Sequence, residues 1–388
     1  MLAHAYLDHA CAIVQEYRLQ QPLALYLKAY FKGQRQCGSR DRRRIADLVY
    51  GHYRMGPQPV PAQALPTLAP VKQHMVLGAW LQGGWPQPFF EATRPDLCSD
   101  AALPQNLRWR MAEEVFGWKP PQAFPMSPEA QGISFVERLY RQPSVFIRLR
   151  RPVALIEPKL RSGGISFETI SDQCIRVAAN TKLDAVLAAE EYRVQDSASQ
   201  QVGSFLRPKP GETWWDCCAA SGGKTLLLLD SEKNIKLTVS DVRSGILRNL
   251  QLRVGQYHPD KKYRVFCCDL SDPVGEVPGA PFDHILCDAP CSGSGTWARS
   301  PEQAWFFGAE DLEAFHRRQC LIGLNAAQHL KPGGRLIYIT CSLFERENEA
   351  VVQRLSEQGL ALEEQHVLDA HASGGDTLFL AILRKPNS

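Results

Sequence analysis

The sequence predicts an α/β protein whose C-terminal half is a parallel, doubly wound sheet, preceded by a small α/β module and a helical N-terminal region. From Gly211 onward, short apolar runs alternate with amphipathic stretches, the order that a parallel sheet with crossover helices requires. The first run leads into a Gly-rich turn, and successive runs end on acidic residues. Ahead of Gln131, by contrast, apolar residues recur mainly at helical spacing.

In chain order, Ala3 to Phe31 carries the helical rhythm, and Ile45, Leu48, Val49 and Tyr53 continue it beyond a basic stretch. A Pro-rich break from Pro57 to Pro70 separates two helical portions, and Pro120, Pro121 and Pro125 mark a boundary. We therefore expect a helical domain over 1–125, a small α/β subdomain over 126–208 and a sheet domain over 209–388. In the small subdomain, Val145 to Arg150 alternates as a strand with Val145, Ile147 and Leu149 on one face. A helix through Leu155 and Leu160 should end at Gly163-Gly164, and Ile165 to Ile170 should be a second strand. In the sheet domain, strands are expected at Thr213 to Cys218, Leu237 to Asp241, Tyr263 to Asp269, Phe282 to Asp288 and Gly334 to Thr340. Helices should fill the gaps at Lys224 to Leu229, Arg243 to Arg253 and Asp311 to Leu330.

A length of 388 residues suits two or three domains, and 44% hydrophobic with 22% charged residues fits a folded chain. No apolar run approaches the roughly 18 residues that span a bilayer. Met1 to Arg18 carries Asp8 and Glu16 and lacks the basic head and cleavage site of a signal peptide. The expectation is a cytoplasmic protein with no membrane segment, in which nothing demands more than a monomer. A net charge of +3 says little about nucleic acid, but its distribution says more. Arg35, Arg40, Arg42, Arg43 and Arg44 form one group, and Arg138, Arg141, Arg148, Arg150 and Arg151 a second. Either group can neutralise phosphates or form a solvated helix face. The twelve cysteines lack paired CxxC spacing, so no structural zinc site is expected. Cys217, Cys218, Cys267, Cys268 and Cys287 sit in apolar runs and read as small core residues. Cys291 and Cys341 stand in different surroundings.

In such a sheet, ligands bind outside the carboxyl ends of the strands. The first strand ends in Asp216-Cys-Cys-Ala-Ala-Ser-Gly-Gly-Lys-Thr225, where small residues let the backbone approach a ligand and a helix start offers free N–H groups. This turn matches neither a Walker phosphate loop nor the dinucleotide fingerprint. Asp241 ends the second strand, at about the separation at which an acid meets ribose hydroxyls, and Asp269 ends the third, placed to accept from an adenine amino group. Acids at successive strand ends after a Gly-rich turn point to a nucleoside cofactor. The fourth strand ends in Asp288-Ala-Pro-Cys291 and the fifth in Thr340-Cys-Ser342, so two cysteines emerge beside a carboxylate. Carbon 5 of cytosine is a poor nucleophile until something adds to carbon 6. A thiolate that adds there, an acid hydrogen-bonded to N3 and a group that aids release are what its methylation needs, and all are present.

At these residues the sequence resembles the Sun-type RNA cytosine-5 methyltransferases, most closely the RsmB-like bacterial members. The likeness covers Val194-Gln-Asp-Ser-Ala-Ser-Gln200, the Gly-rich turn, Lys331 to Gly334, Asp288-Ala-Pro-Cys291, Thr340-Cys-Ser342 and Glu347-Asn-Glu349, roughly the last half of the chain. It implies a Rossmann-like class I methyltransferase sheet with S-adenosyl-L-methionine as cofactor. It further implies that Cys341 is the nucleophile, that Cys291 assists release and that Asp288 contacts the base. Spacing does not divide the roles between Cys291 and Cys341; the resemblance does. Cofactor contacts carry over to Cys218, Ala219, Ala220, Ser221, Gly222, Gly223 and Lys224, and to Asp241, Asp269 and Asp288. Lys224 would support the loop or the methionine end of the cofactor, or simply begin a helix. The family has proline where this chain has Ser221, and loss of the ring's restriction is expected to loosen the loop without abolishing activity.

Gly38 to Tyr50 resembles the NusB-like helical RNA-binding domain attached to RsmB-type enzymes, and the middle module resembles their small RRM-like subdomain. The implied partner is structured RNA, with small-subunit ribosomal RNA as the leading substrate. Arg40, Arg42, Arg43, Arg148, Arg150 and Arg299 are the candidate RNA contacts. Trp297 and Trp305 would either stack on a flipped base or pack in a core. The chemistry needs no metal. Alternatives are a catalytically weak RNA-binding ribosome assembly factor and a methyltransferase acting on transfer RNA. An amine methyltransferase fits less well, because Asp288-Ala-Pro-Cys291 departs from the Asp/Asn-Pro-Pro-aromatic pattern.

Overall fold

The computed structural model describes residues 3–57, 69–97, 103–119, 121, 124–141, 143–179 and 181–387. The Pro-rich break lies over 58–68 outside the described residues, as does Pro120. Two compact units make up the chain. One comprises 1–123, 133–141 and 297–307, and the other 124–132, 142–296 and 308–388. Among the described residues no helix is long and apolar enough to cross a membrane.

The first unit is helical, as its apolar spacing dictates. With elements numbered in chain order, it holds α1 (Ala3–Glu16), α2 (Leu23–Gly33), α3 (Ser39–Arg54), α4 (Pro70–Gln82), α5 (Gln87–Thr93), α6 (Gln105–Phe116), α7 (Phe135–Tyr140) and α13 (Pro301–Phe306). Ile45, Leu48, Val49 and Tyr53 bury one face of α3, and Asp41 Oδ2 caps its start by accepting from Gly38 N–H at 3.2 Å. Helices α3 and α4 approach where a Cβ on Gly78 would stand 2.7 Å from the Gly51 carbonyl oxygen, so only glycine permits the crossing. Two segments beyond 1–125 join this unit, and buried Arg54 ties them in. Its Nε donates to Leu139 O at 3.1 Å and its Nη2 to Ala298 O at 3.0 Å.

The second unit opens with a four-stranded antiparallel sheet in the order β2-β3-β1-β4. Its parts are β1 (Val145–Leu149), α8 (Val153–Ser162), β2 (Phe167–Ser171), β3 (Cys174–Val177) and β4 (Tyr192–Val194). Ile147 and Leu149 of β1 pack with Ile156 and Leu160 of α8 and with Ile175 of β3. The expected strand at Ile165 starts two residues later and turns back into β3, a run too short to declare a period in sequence.

After α9 (Ser197–Gln201) and α10 (Gly203–Leu206) comes a seven-stranded sheet. It contains β5 (Thr213–Asp216), α11 (Gly223–Ser231), β6 (Lys236–Asp241), α12 (Ser244–Tyr257), β7 (Arg264–Cys267), β8 (Phe282–Asp288), α14 (Ala309–Gln328), β9 (Leu330–Thr340), α15 (Glu349–Glu357), β10 (Ala361–Asp369) and β11 (Thr377–Arg384). The order is β10-β11-β9-β8-β5-β6-β7, parallel from β9 to β7 and antiparallel at β10 and β11. Successive residues feed opposite cores. Trp214, Leu286, Ile337 and Ile339 pack on one face of the sheet, and Trp215, Ile285, Cys287, Leu336 and Tyr338 on the other. Burial of both faces explains the nearly continuous apolar runs. The antiparallel pair β10 and β11 lay beyond the expected strands. Cys267, expected in the core, is exposed, because β7 is the edge strand.

Candidate active site

The strand order reverses between β5 and β8, with β6 and β7 leading away on one side and β9 on the other. Carboxyl ends at such a reversal leave a crevice. A cavity of about 370 Å³ opens there. Its lining includes Cys217 and Cys218 after β5, Ala220, Asp241 ending β6, Asp269 beyond β7, Asp288 ending β8, and Pro290 and Cys291. Arg318 and Ile322 of α14 close the far side.

The turn after β5 is built tightly. Ala220 adopts a left-handed backbone, φ 45°, as does Gly222 at 85°. The Ala220 N–H donates to Asp241 Oδ2 at 3.0 Å, which ties the turn to the end of β6. Asp241 Oδ1 accepts from both the backbone N–H and Nε of Arg243 at 3.0 Å. Burial raises the Asp241 pKa, but the Arg243 and Ala220 bonds outweigh it and hold the carboxyl below its ordinary value. Ser221, where proline was expected, is held from α12. Arg253 Nη1 donates to its carbonyl at 2.8 Å and to its hydroxyl at 3.0 Å. The expected loosening is therefore countered by a cation. Asp269 is exposed, and the backbone N–H of Ser271 bonds its Oδ1 at 2.8 Å, which helps keep its pKa low. Of the expected cofactor contacts, Cys218, Ala220, Asp241, Asp269 and Asp288 line the cavity, whereas Ala219, Ser221, Gly222 and Gly223 shape the turn behind it. Lys224 reaches Asp288, with Nζ 3.1 Å from Oδ2. Burial would lower the Lys224 pKa, but the Asp288 charge and hydrogen bond raise it above its ordinary value.

Cys291 and Cys341 come together from loops after β8 and β9, with Sγ atoms 3.4 Å apart. The hydrogen bond with Cys341, then burial, pushes the Cys291 thiol well above its ordinary pKa. Gly295 makes the approach possible. Its N–H donates to Cys341 O at 2.9 Å, and a Cβ there would lie 2.1 Å from Thr377 O.

Glu347 joins the two loops, a role that the sequence alone did not suggest. Its buried carboxylate accepts from Ser292 N–H at 2.8 Å, from Gln319 Nε2 at 3.0 Å and from the hydroxyls of Ser292 and Ser342. Those serines directly follow the two cysteines. Asn348 completes the frame, accepting from Thr340 Oγ1 at 2.6 Å and donating to Ser342 O at 3.0 Å and Ser127 Oγ at 2.8 Å. The Glu347-Asn-Glu349 motif was the available signal, and its function becomes visible only once the loops meet.

The arginines divide. On α3, Arg40, Arg42 and Arg43 are exposed, with Arg42 Nε also donating to Cys37 O at 2.8 Å. The second arginine group is not one surface. Arg138 and Arg141 belong to the first unit, and Arg148 to Arg151 to the second. Arg148 is only 6% exposed, and Arg148 and Arg150 both pair with Asp230 at 2.7 Å. Strand alternation turns Arg148 inward against α11, where it and Arg150 share the single Asp230 carboxylate. Arg299 is half-buried in the first unit. Trp297 is buried against Phe135 and Phe307, and Trp305 packs on His52, His74 and Tyr53, which is the core-packing alternative.

Residues 203–368 match the family model described as 16S rRNA methyltransferase RsmB/F. The chain is 31% identical over 268 residues to the ribosomal RNA small subunit methyltransferase B of Xanthomonas campestris pv. campestris, a match covering 67% of this chain and 58% of that one. The chain thus spans about half the length of the curated relatives it matches. The crystal structure of PH0851 is similar over 99% of this chain and 98% of its own, at 21% identity and TM-score 0.66. NSun6 from Pyrococcus horikoshii with SFG is similar over 65% of this chain and 93% of its own, at 18% identity and TM-score 0.55. At these identities the two structures speak to the fold.

Proposed function

Since residues 203–368 belong to the RsmB/F methyltransferase family, we propose that the protein methylates carbon 5 of a cytosine in RNA through a covalent bond from Cys341, with small-subunit ribosomal RNA as the substrate class. The observation that carries this is the 3.4 Å approach of Cys291 and Cys341 beside a cavity edged by Asp288.

The cavity fits a nucleoside cofactor. Its volume lies within the roughly 300–1,000 Å³ of small-molecule sites. Asp241 is held anionic at its floor for hydroxyl donors, Asp269 stands exposed at its edge, and the turn brings Ala220 backbone into the wall. Asp241, Asp269 and the backbone from Cys218 to Ala220 would hold S-adenosyl-L-methionine, which supplies the electrophilic methyl group for carbon 5.

The chain's own residues prepare the base. Cys341 Sγ, its proton given to solvent, bonds to carbon 6, the electron pair of the 5,6 double bond shifts toward N3, and N3 takes up a proton from water and donates it as a hydrogen bond to Asp288. Lys224 fixes the Asp288 carboxylate from behind. Cys291 then takes the proton that carbon 5 gives up, the 5,6 double bond reforms, and the Cys341–carbon 6 bond breaks. While Cys341 is free, Cys291 keeps its proton because the neighbouring sulfur accepts it. Once Cys341 is bonded to carbon, its sulfur no longer holds the Cys291 proton, which passes to solvent, and the Cys291 thiolate can accept the proton from carbon 5. Arg40, Arg42 and Arg43 would hold RNA phosphates.

The test is denaturing electrophoresis of protein mixed with RNA and S-adenosyl-L-methionine. Cys291→Ala should accumulate a covalent RNA adduct, and Cys341→Ala should form none. A reversed pattern would exchange the roles, and absence of any adduct with cofactor binding intact would remove the covalent mechanism.

A further inference from the structure

Three thiols with no part in this chemistry meet at the cavity floor. Cys217 and Cys218 follow β5, and Cys287 is the penultimate residue of the adjacent strand β8. The Cys217 N–H donates to Leu286 O at 2.9 Å, which holds the strand ends in register. The Sγ atoms of Cys217, Cys218 and Cys287 all lie within 4.8 Å of one another. All three cysteines are free thiols. Cys287 is 0% exposed, while Cys217 and half-buried Cys218 line the cavity.

This spacing suits a soft cation. Sulfur sits about 2.3 Å from zinc, so three thiolates around one ion in a plane stand about 4 Å apart. Thiolates favour zinc, copper(I) and their heavier analogues over magnesium or calcium, which prefer oxygen.

We propose that Cys217, Cys218 and Cys287 form a three-thiolate site for a thiophilic d10 cation, loaded through the cofactor cavity. Each sulfur that binds gives its proton to solvent, so loading releases protons and transfers no electrons. The access route rests on the cofactor reading given above, whereas the ligand set does not. With Cys287 closed to solvent and Cys217 and Cys218 lining the cavity, a bound cofactor would cover the way in.

The probe is Cd2+ added to the full chain carrying Cys291→Ser and Cys341→Ser, which removes the other close thiol pair. One ion per chain should bind with an ultraviolet sulfur-to-cadmium charge-transfer band. Cys287→Ser and, separately, Cys218→Ala should each weaken the band, whereas Cys267→Ser should leave it unchanged. Cys218→Ala alters a half-buried side chain and keeps the test decisive if Cys287→Ser does not fold. No band in the parent protein, or a full band in Cys218→Ala, overturns the site. Adenosylhomocysteine at roughly ten times its Kd leaves about one cavity in ten open, so uptake should slow about tenfold. Unchanged uptake with the ligand bound overturns the route, while failure of the ligand to bind counts against the cofactor reading and leaves the cadmium result standing.

Discussion

The sulfur atoms of Cys291 and Cys341 stand 3.4 Å apart, although 50 residues separate them in the chain. Two thiols this close are joined readily by mild oxidation. Hydrogen peroxide converts a Cys341 thiolate to the sulfenic acid with loss of hydroxide, and Cys291 then displaces water to form the disulfide. We expect peroxide treatment to abolish RNA adduct formation, dithiothreitol to restore it, and digestion to yield a Cys291–Cys341 linked peptide. Inactivation that leaves these cysteines unlinked would contradict the geometry.

Glu347 should govern catalysis without touching substrate. Glu347→Gln keeps one oxygen for the Ser292 N–H and the Gln319 amide but puts an NH2 where the Ser292 and Ser342 hydroxyls had shared an acceptor. The loss should be about 1–3 kcal/mol of stability. Turnover should fall well below wild type while cofactor affinity stays close to it, because the cavity wall does not include Glu347. Equal losses in cofactor Kd and kcat would show a general collapse instead of a positioning role.

Arg253 should matter more to the cofactor loop than the missing proline does. Arg253→Ala removes both bonds to Ser221 and should weaken cofactor binding by about tenfold, roughly 1.4 kcal/mol. Ser221→Pro keeps the carbonyl bond and should change Kd by less than about threefold. Isothermal titration with adenosylhomocysteine separates the two, and a large gain from Ser221→Pro would mean that the loop is loose.

Asp216 should make stability fall as pH rises. Burial lifts its pKa from 3.8 to about 8, against the opposing hydrogen bond from Thr225. Below pH 3.8 the carboxyl is protonated whether the chain is folded or not, so its contribution is fully present. Between that pH and about 8 the unfolded chain ionises and the folded one does not, so stability declines and then levels off. Asp216→Asn cannot ionise. Relative to wild type it should remove a decline of up to about 4 kcal/mol between roughly pH 5 and 8 in urea unfolding. Parallel pH profiles for the two proteins would mean that Asp216 is ionised in the fold.

Much of the sheet was legible because local physics writes it into the chain. Strands β5, β6 and β8 lie between two helical layers, so their residues are apolar on both faces and appear as unbroken runs. Asp241, Asp269 and Asp288 were legible for a related reason, since polar residues concentrate where such runs end. Arg148 misled because a cluster in sequence is not a patch in space. Alternation along β1 sends Arg148 to Asp230, and neither partner announces the other from so far along the chain. Trp297 and Trp305 were open between a base and a core, and only the rings around them decided it.

The sequence by itself determined the five parallel strands of the large sheet and the helices α11, α12 and α14 between them, the Gly-rich turn, the acids at the strand ends and the two cysteines set apart from the apolar runs. Each of these is set by neighbours a few residues away, through side-chain alternation, helical spacing or backbone freedom. The tertiary structure alone decided which of those groups act together. Glu347 clamping both cysteine loops, Arg253 holding Ser221, and Cys287 meeting Cys217 and Cys218 all depend on strands and helices distant in sequence being packed side by side. Such contacts follow from how the whole sheet buries its two faces, and no local pattern of residues encodes them.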